Sequence, residues 1–226
     1  DTEGKTLLPI RSIVLDGDDI TFVTDGRLGV YLAEKFIHHA GKFELCDGKP
    51  LHFCAGVAIM KTRYPFFRGY GLAVELCAAA KEEAEKWRQD SSWLDFHIIL
   101  GGKSGRLMNV REKHFCVADG GSLVFGPYLL EEVEEDKSII YLRRGISELH
   151  RKWPRSKIKE LREVLIQGKL ATEAYIKRME ARGLSLPEVP GDYTLAGWQA
   201  ATPYYSMVEL LEFYPAELLD EEGGLA

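Results

Sequence analysis

Apolar and β-branched residues crowd into two short runs near the start of the chain, Ile10 to Asp16 and Asp19 to Thr24, with Asp16-Gly17-Asp18 between them. Val, Ile, Phe and Thr suit a pleated, half-buried surface, and Asp-Gly is turn chemistry, so the pattern predicts a tight β-hairpin. Thr24-Asp25-Gly26 ends it. Asp25 is placed to cap a helix over roughly 27–40, with Leu28, Tyr31, Leu32, Phe36 and His39 on one face and Gly41 as its stop. Asp47-Gly48 marks another turn. Leu51 to Met60 then reads as a strand, with Leu51, Phe53, Ala55, Val57 and Ile59 on one face and His52, Cys54, Gly56, Ala58 and Met60 on the other. Both faces are apolar or small, which predicts a central, covered strand, with Gly56 free to admit a neighbouring backbone. A long helix follows Pro65, over roughly 66–88, with a buried stripe of Gly69, Leu72, Ala73, Leu76, Cys77, Ala80, Ala84 and Trp87. Trp93 to Leu100 is a further strand, closed by Gly101-Gly102.

Residues 103–137 show no clear period. Leu123-Val124-Phe125 reads as a short strand closed by Gly126-Pro127, and the run Glu131 to Asp136 as a solvated segment. From residue 138 the period becomes helical. Ile139 to Lys152 is one segment, interrupted at Pro154. Ile158, Leu161, Val164 and Leu165 mark a second, ended by Gly168, and Ala171, Ala174, Tyr175 and Met179 a third, ended by Gly183. Residues 184–203 read as an extended loop, Met207 to Tyr214 as a short last helix, and the stretch after Leu219 as a loose tail. The expected fold is α+β: a hairpin–helix–strand–helix–strand layer over 1–137, then a helical part over 138–226.

Composition adds bounds. The 226 residues are 46% hydrophobic and 28% charged, ordinary for a globular chain able to bury a core without staples. A formal net charge of -6 gives no general pull toward nucleic acid or an anionic membrane. No apolar run is long enough to span a bilayer, and no stretch has the pattern of a secretory signal. The scattered Cys46, Cys54, Cys77 and Cys116 read as buried, reduced thiols of a cytoplasmic protein. Cys46, His52 and Cys54 match no zinc spacing.

The hairpin tip carries the candidate chemistry. Asp16, Asp18 and Asp19 lie within four residues. Such close like charges repel, and a divalent cation relieves them. Mg²⁺ takes oxygen ligands, commonly one or two carboxylates plus substrate phosphates. Against this stands the plain fact that Asp is common in turns. Taken alone, the three residues read as turn residues rather than as a metal site.

The wider series does more. After the hairpin and its helix come Phe53-Cys54-Ala55-Gly56-Val57-Ala58-Ile59, then Tyr64-Pro65-Phe66, then Leu72-Ala73-Val74-Glu75-Leu76-Cys77 running to Ala80-Lys81. This series resembles the second palm domain of the large polymerase/cyclase-like subunit of type III CRISPR effector complexes, which carries a Gly-Gly-Asp-Asp hairpin. It is distantly similar to GGDEF-type nucleotide cyclases. Trp153-Pro154-Arg155-Ser156-Lys157 and Leu161-Arg162-Glu163 resemble the helical part that follows that palm in related proteins. The resemblance spans residues 10–90 well and 140–215 loosely. It implies a ferredoxin-like palm that binds ATP or a related nucleotide with Mg²⁺ or Mn²⁺, and nucleotidyl transfer or cyclisation as the reaction. It also implies RNA or an antiviral defence complex as partners. By position, Asp18 and Asp19 match the metal-binding, catalytic aspartates, Gly17 the second glycine of the motif, and Lys81 a triphosphate contact.

Two departures stand out. Asp16 occupies the place of the motif's first glycine, adding a charged side chain where backbone is expected to approach nucleotide. The palm's first strand and helix, which bring a further metal aspartate, are expected ahead of the hairpin and are not found in this chain, which reads as an excised fragment. The alternative is therefore a degenerate, non-catalytic palm acting as a binding or assembly module. Elsewhere, Lys152, Arg155, Lys159 and Arg162 are interleaved with Glu160 and Glu163 and read as a solvated face, and Tyr64, Phe66, Phe67 and Tyr70 as core.

Overall fold

The computed structural model describes residues 9–43, 48, 50–87, 90–99, 105–191, 193 and 197–215. Cys46 and Asp47, the Gly101-Gly102 stop and the stretch after Leu219 lie outside the described residues. The architecture is mixed: a hairpin of β1 (Ile10–Asp16) and β2 (Asp19–Thr24), helix α1 (Gly29–Ala40), strand β3 (Cys54–Ile59), the long helix α2 (Phe66–Trp87) and strand β4 (Trp93–Ile98). Helix α3 (Leu107–His114) and the two-residue β5 (Tyr128–Leu129) follow, and the rest is helical: α4 (Ile139–Lys152), α5 (Arg155–Gln167), α6 (Lys169–Glu180) and α7 (Tyr204–Leu210).

β3, α2 and β4 form a βαβ unit, with β3 and β4 parallel and in register from Cys54↔Trp93 to Ile59↔Ile98. β5 adds antiparallel to the far side of β4. The sheet order β3-β4-β5 makes β4 the central strand, and all six of its residues are buried. β3 was expected at the centre. Its two faces are indeed covered, but it sits at the sheet edge, because two covered faces say nothing about the edge. The phase of the ladder shows which groups are left over. Phe53 O accepts from Trp93 N at 3.0 Å and Ile59 O from Ile99 N at 2.8 Å. Odd-numbered residues of β3 therefore bond β4, and Cys54, Gly56 and Ala58 turn their peptide groups to the open edge.

α2 lies directly on β3. A Cβ at Gly56 would run into the Ala73 carbonyl oxygen and the Cys77 amide nitrogen and come within 2.9 Å of Leu76 Cβ, so only glycine admits the helix this close. The other face of β3 and β4 joins the main core. There Ile59, Leu94 and Phe96 pack in one cluster with Ile139, Leu142, Leu161, Tyr204 and Leu210 of the helices.

Four local expectations are corrected. The buried face of α1 is Val30, Ala33, Glu34 and Ile37, one step round from the expected stripe, and Phe36 is left exposed. Asp25 does not cap α1; its carboxylate accepts from the Arg27 amide and guanidinium, each at 3.0 Å. The short strand is Tyr128–Leu129, after Gly126-Pro127 rather than before it. The acidic run is not simply solvated: Glu131 accepts from Ser92 N at 2.8 Å, and Asp136 accepts from the Tyr193 hydroxyl at 2.8 Å.

Candidate functional site

The hairpin pairs Asp16 directly with Asp19 across a two-residue turn. Gly17 has φ 60°, and among the described residues none but glycine has positive φ, so Gly17-Asp18 has the sign pattern of a type II′ turn, which requires glycine first. Directly opposed residues share a face with Cβ atoms about 4.5–5.5 Å apart. The structure thus brings together Asp16 and Asp19, with Asp18 at the corner of the turn between them. All three are exposed. A Cβ added at Gly17 would meet nothing within 4 Å, so the tip is open to an approaching molecule.

Lys81 lies in the C-terminal half of α2 and is also exposed. A reporter between it and the hairpin is the Cys77 thiol, which donates to the Cys54 carbonyl at 3.2 Å. Burial raises the pKa of that thiol, the Lys81 ammonium lowers it, and the Asp19 carboxylate raises it again. Burial raises Cys54 as well, and neither thiol is an activated nucleophile.

Asp19, with Asp18 beside it at the corner of the turn, offers the one or two carboxylates that are a protein's usual share of a Mg²⁺ shell completed by nucleotide phosphates, so the residues present fit such an ion. Among the described residues no group of three or more His, Cys, Asp or Glu side chains could hold a metal by itself.

Other charged groups are accounted for structurally. Asp95, 1% exposed in the middle of β4, makes two 2.8 Å contacts to the Arg111 guanidinium of α3. Burial pushes its carboxyl up, and Arg111 opposes that shift. Sequence reasoning missed this pair; the one available signal is an acidic residue inside the run Trp93–Ile98, whose other members, His97 apart, are apolar. Glu34, buried under α1, meets Arg143 of α4 at 3.1 Å and the Tyr214 hydroxyl at 3.2 Å. Arg162 reaches Glu209 at 3.5 Å and lies over the Tyr205 ring, so that member of the basic helix face is engaged within the protein. Phe67 is 71% exposed and Phe66 and Tyr70 are also exposed, so these aromatics expected in the core lie at the surface, while Tyr64 packs partly buried against the Leu72, Leu76, Ile99 and Leu107 cluster. No helix among the described residues is long and apolar enough to cross a membrane. No protein-family model matches the chain, and no curated protein matches it either.

Proposed function

We propose that this chain is a metal-dependent, nucleotide-binding palm-type domain whose reaction class is nucleotidyl transfer or cyclisation on an ATP-like nucleotide, in CRISPR-type antiviral defence. The observation that carries the reading is the tight glycine turn at the hairpin tip, which sets Asp19 opposite Asp16 with Asp18 at the corner between them, all three exposed. A divalent ion held at the tip would serve the phosphates of a bound nucleotide, as phosphoryl transfer requires. In this reading Asp18 and Asp19 hold Mg²⁺ or Mn²⁺, and the ion would neutralise charge on the transferring phosphate. Gly17 leaves the tip uncovered, and Lys81 binds phosphate. The resemblance implies one further strand, with its own aspartate, beside the hairpin. Outer edges of both β2 and β3 are unpaired among the described residues and suit such a strand.

A second reading is favoured by Asp16. Its carboxylate faces Asp19 where the motif has glycine, so the tip crowds charge where nucleotide backbone contacts belong. In this reading the palm binds or assembles and does not catalyse. Titration of Mg²⁺ and ATP against the intact protein and its Asp18→Ala/Asp19→Ala variant tests the assignment: tight binding by the first and not by the second is expected, and equal binding by both would sink it. Incubation with each of the four NTPs separates the readings, since a metal-dependent oligonucleotide product excludes the non-catalytic one.

A further inference from the structure

A crevice of about 380 Å³ opens at the other end of α2, outside the carboxyl ends of the parallel strands β3 and β4. That size suits a small-molecule ligand, and strand ends of this kind are where open α/β units bind them. Phe67 and Arg68 of the first turns of α2, Tyr64 before it, Arg106 before α3 and His97 of β4 line the crevice. Among the described residues neither Arg68 nor Arg106 has a carboxylate partner; the Arg68 guanidinium lies over the Phe67 ring, 5.7 Å from its centroid. The acid in the lining, Glu75, is already committed: it accepts from the Leu107 amide at 2.5 Å and so caps α3. The N-terminal end of the 22-residue α2 adds its positive dipole. The lining is therefore cationic in a chain of net charge -6.

Gly71 is the second observation. It sits inside α2, where glycine weakens a helix. Gly56 and Gly69 have packing reasons, since a Cβ at either would strike a neighbour. A Cβ at Gly71 would meet nothing within 4 Å, yet Gly71 lines the crevice. What a side chain there would take up is the crevice itself.

We infer that this crevice binds a phosphorylated ligand with a flat ring, of mononucleotide size, its phosphate held by Arg68 and Arg106 and its ring against Phe67 and Tyr64. The site is separate from the hairpin. Arg68 and Lys81 are thirteen residues apart on one helix, about 20 Å along its axis. The inference does not rest on the palm reading.

The test is calorimetric titration of the intact protein in EDTA, so that no divalent ion serves the hairpin carboxylates, with AMP, adenosine and inorganic phosphate as probes. AMP is expected to bind at least tenfold more tightly than either of the others. Arg68→Ala/Arg106→Ala should weaken AMP at least tenfold, and Asp18→Ala/Asp19→Ala should leave it unchanged. Gly71→Leu should abolish AMP binding while the melting temperature holds or rises, which separates a filled site from a damaged fold. Adenosine binding as well as AMP, or AMP binding unaffected by Gly71→Leu, would overturn the inference. So would a single-stranded oligonucleotide that binds more tightly than AMP, because the crevice would then be part of a nucleic-acid track.

Discussion

β4 and the β1-β2 hairpin both read as strands and live in opposite surroundings. Every residue of β4 is buried, with β3 on one side, β5 on the other and helices over both faces. Among the described residues the hairpin strands pair only with each other. Leu15 is 70% exposed, and Ile10, Ile13, Ile20 and Val23 are exposed too. Leu15 and Ile20 face each other on the side opposite Asp16 and Asp19, so the apolar face of the hairpin lies open. An isolated two-stranded ribbon is marginal in water. The comparison teaches that β-branched pattern specifies a strand, while its burial is decided by neighbours that the strand cannot encode.

The largest way to break this contrast is at Asp95. Arg111→Met leaves a carboxylate buried without its partner and should cost about 3–5 kcal/mol in urea unfolding, while Asp95→Leu/Arg111→Met should recover most of it. Next comes a matched pair of truncations. Leu94→Ala in β4 should cost about 2–5 kcal/mol, whereas Leu15→Ala in the hairpin should stay within about 0.5 kcal/mol. Equal costs would mean that the hairpin is part of the core. Gly56→Ala should cost about 1–3 kcal/mol by pushing α2 off β3.

A smaller effect is visible in pH. Burial raises the pKa of Glu34 above its ordinary 4.5, with Arg143 and Tyr214 opposing. Between 4.5 and the raised value the folded state holds a proton that the unfolded state has lost, so stability falls as pH rises across that window. Glu34→Gln should remove this part of the slope in melting temperature against pH. An unchanged slope would place the titration elsewhere.

What the sequence made legible follows the same divide between local and distant causes. The hairpin, α2 and β4 were readable because glycine turns, a long helical stripe and a short, mostly apolar run are local signals; of the eight stripe positions expected in α2, Gly69, Leu72, Leu76, Ala80 and Ala84 are buried. α3 was not, because its run Leu107–His114 is largely polar and its start is fixed from outside by Glu75, thirty-two residues earlier. The face of α1 was misjudged because Val30, Ala33 and Ile37 repeat at helical spacing just as Leu28, Tyr31 and Leu32 do. Tyr214 and Arg143, distant in sequence, draw Glu34 inward. At the candidate site, the acidic turn was evident from the letters. That Asp16, and not Asp18, faces Asp19 depends on turn type, which the letters leave open.

The smallest effect sharpens that last point. Asp16 and Asp19 are like charges directly opposed, an arrangement that weakens a ladder by a few tenths of a kcal/mol. Asp16→Thr removes the repulsion and adds a β-branched residue. Because the hairpin opens without the core, the gain should appear as roughly two- to fivefold slower hydrogen exchange at its ladder amides, with the melting temperature unmoved. Mg²⁺ should slow the same amides in parent and variant alike, since Asp18 and Asp19 remain in both. If Asp16→Thr instead raises the melting temperature by several degrees, the hairpin and the core unfold together, and the contrast between the two regions fails.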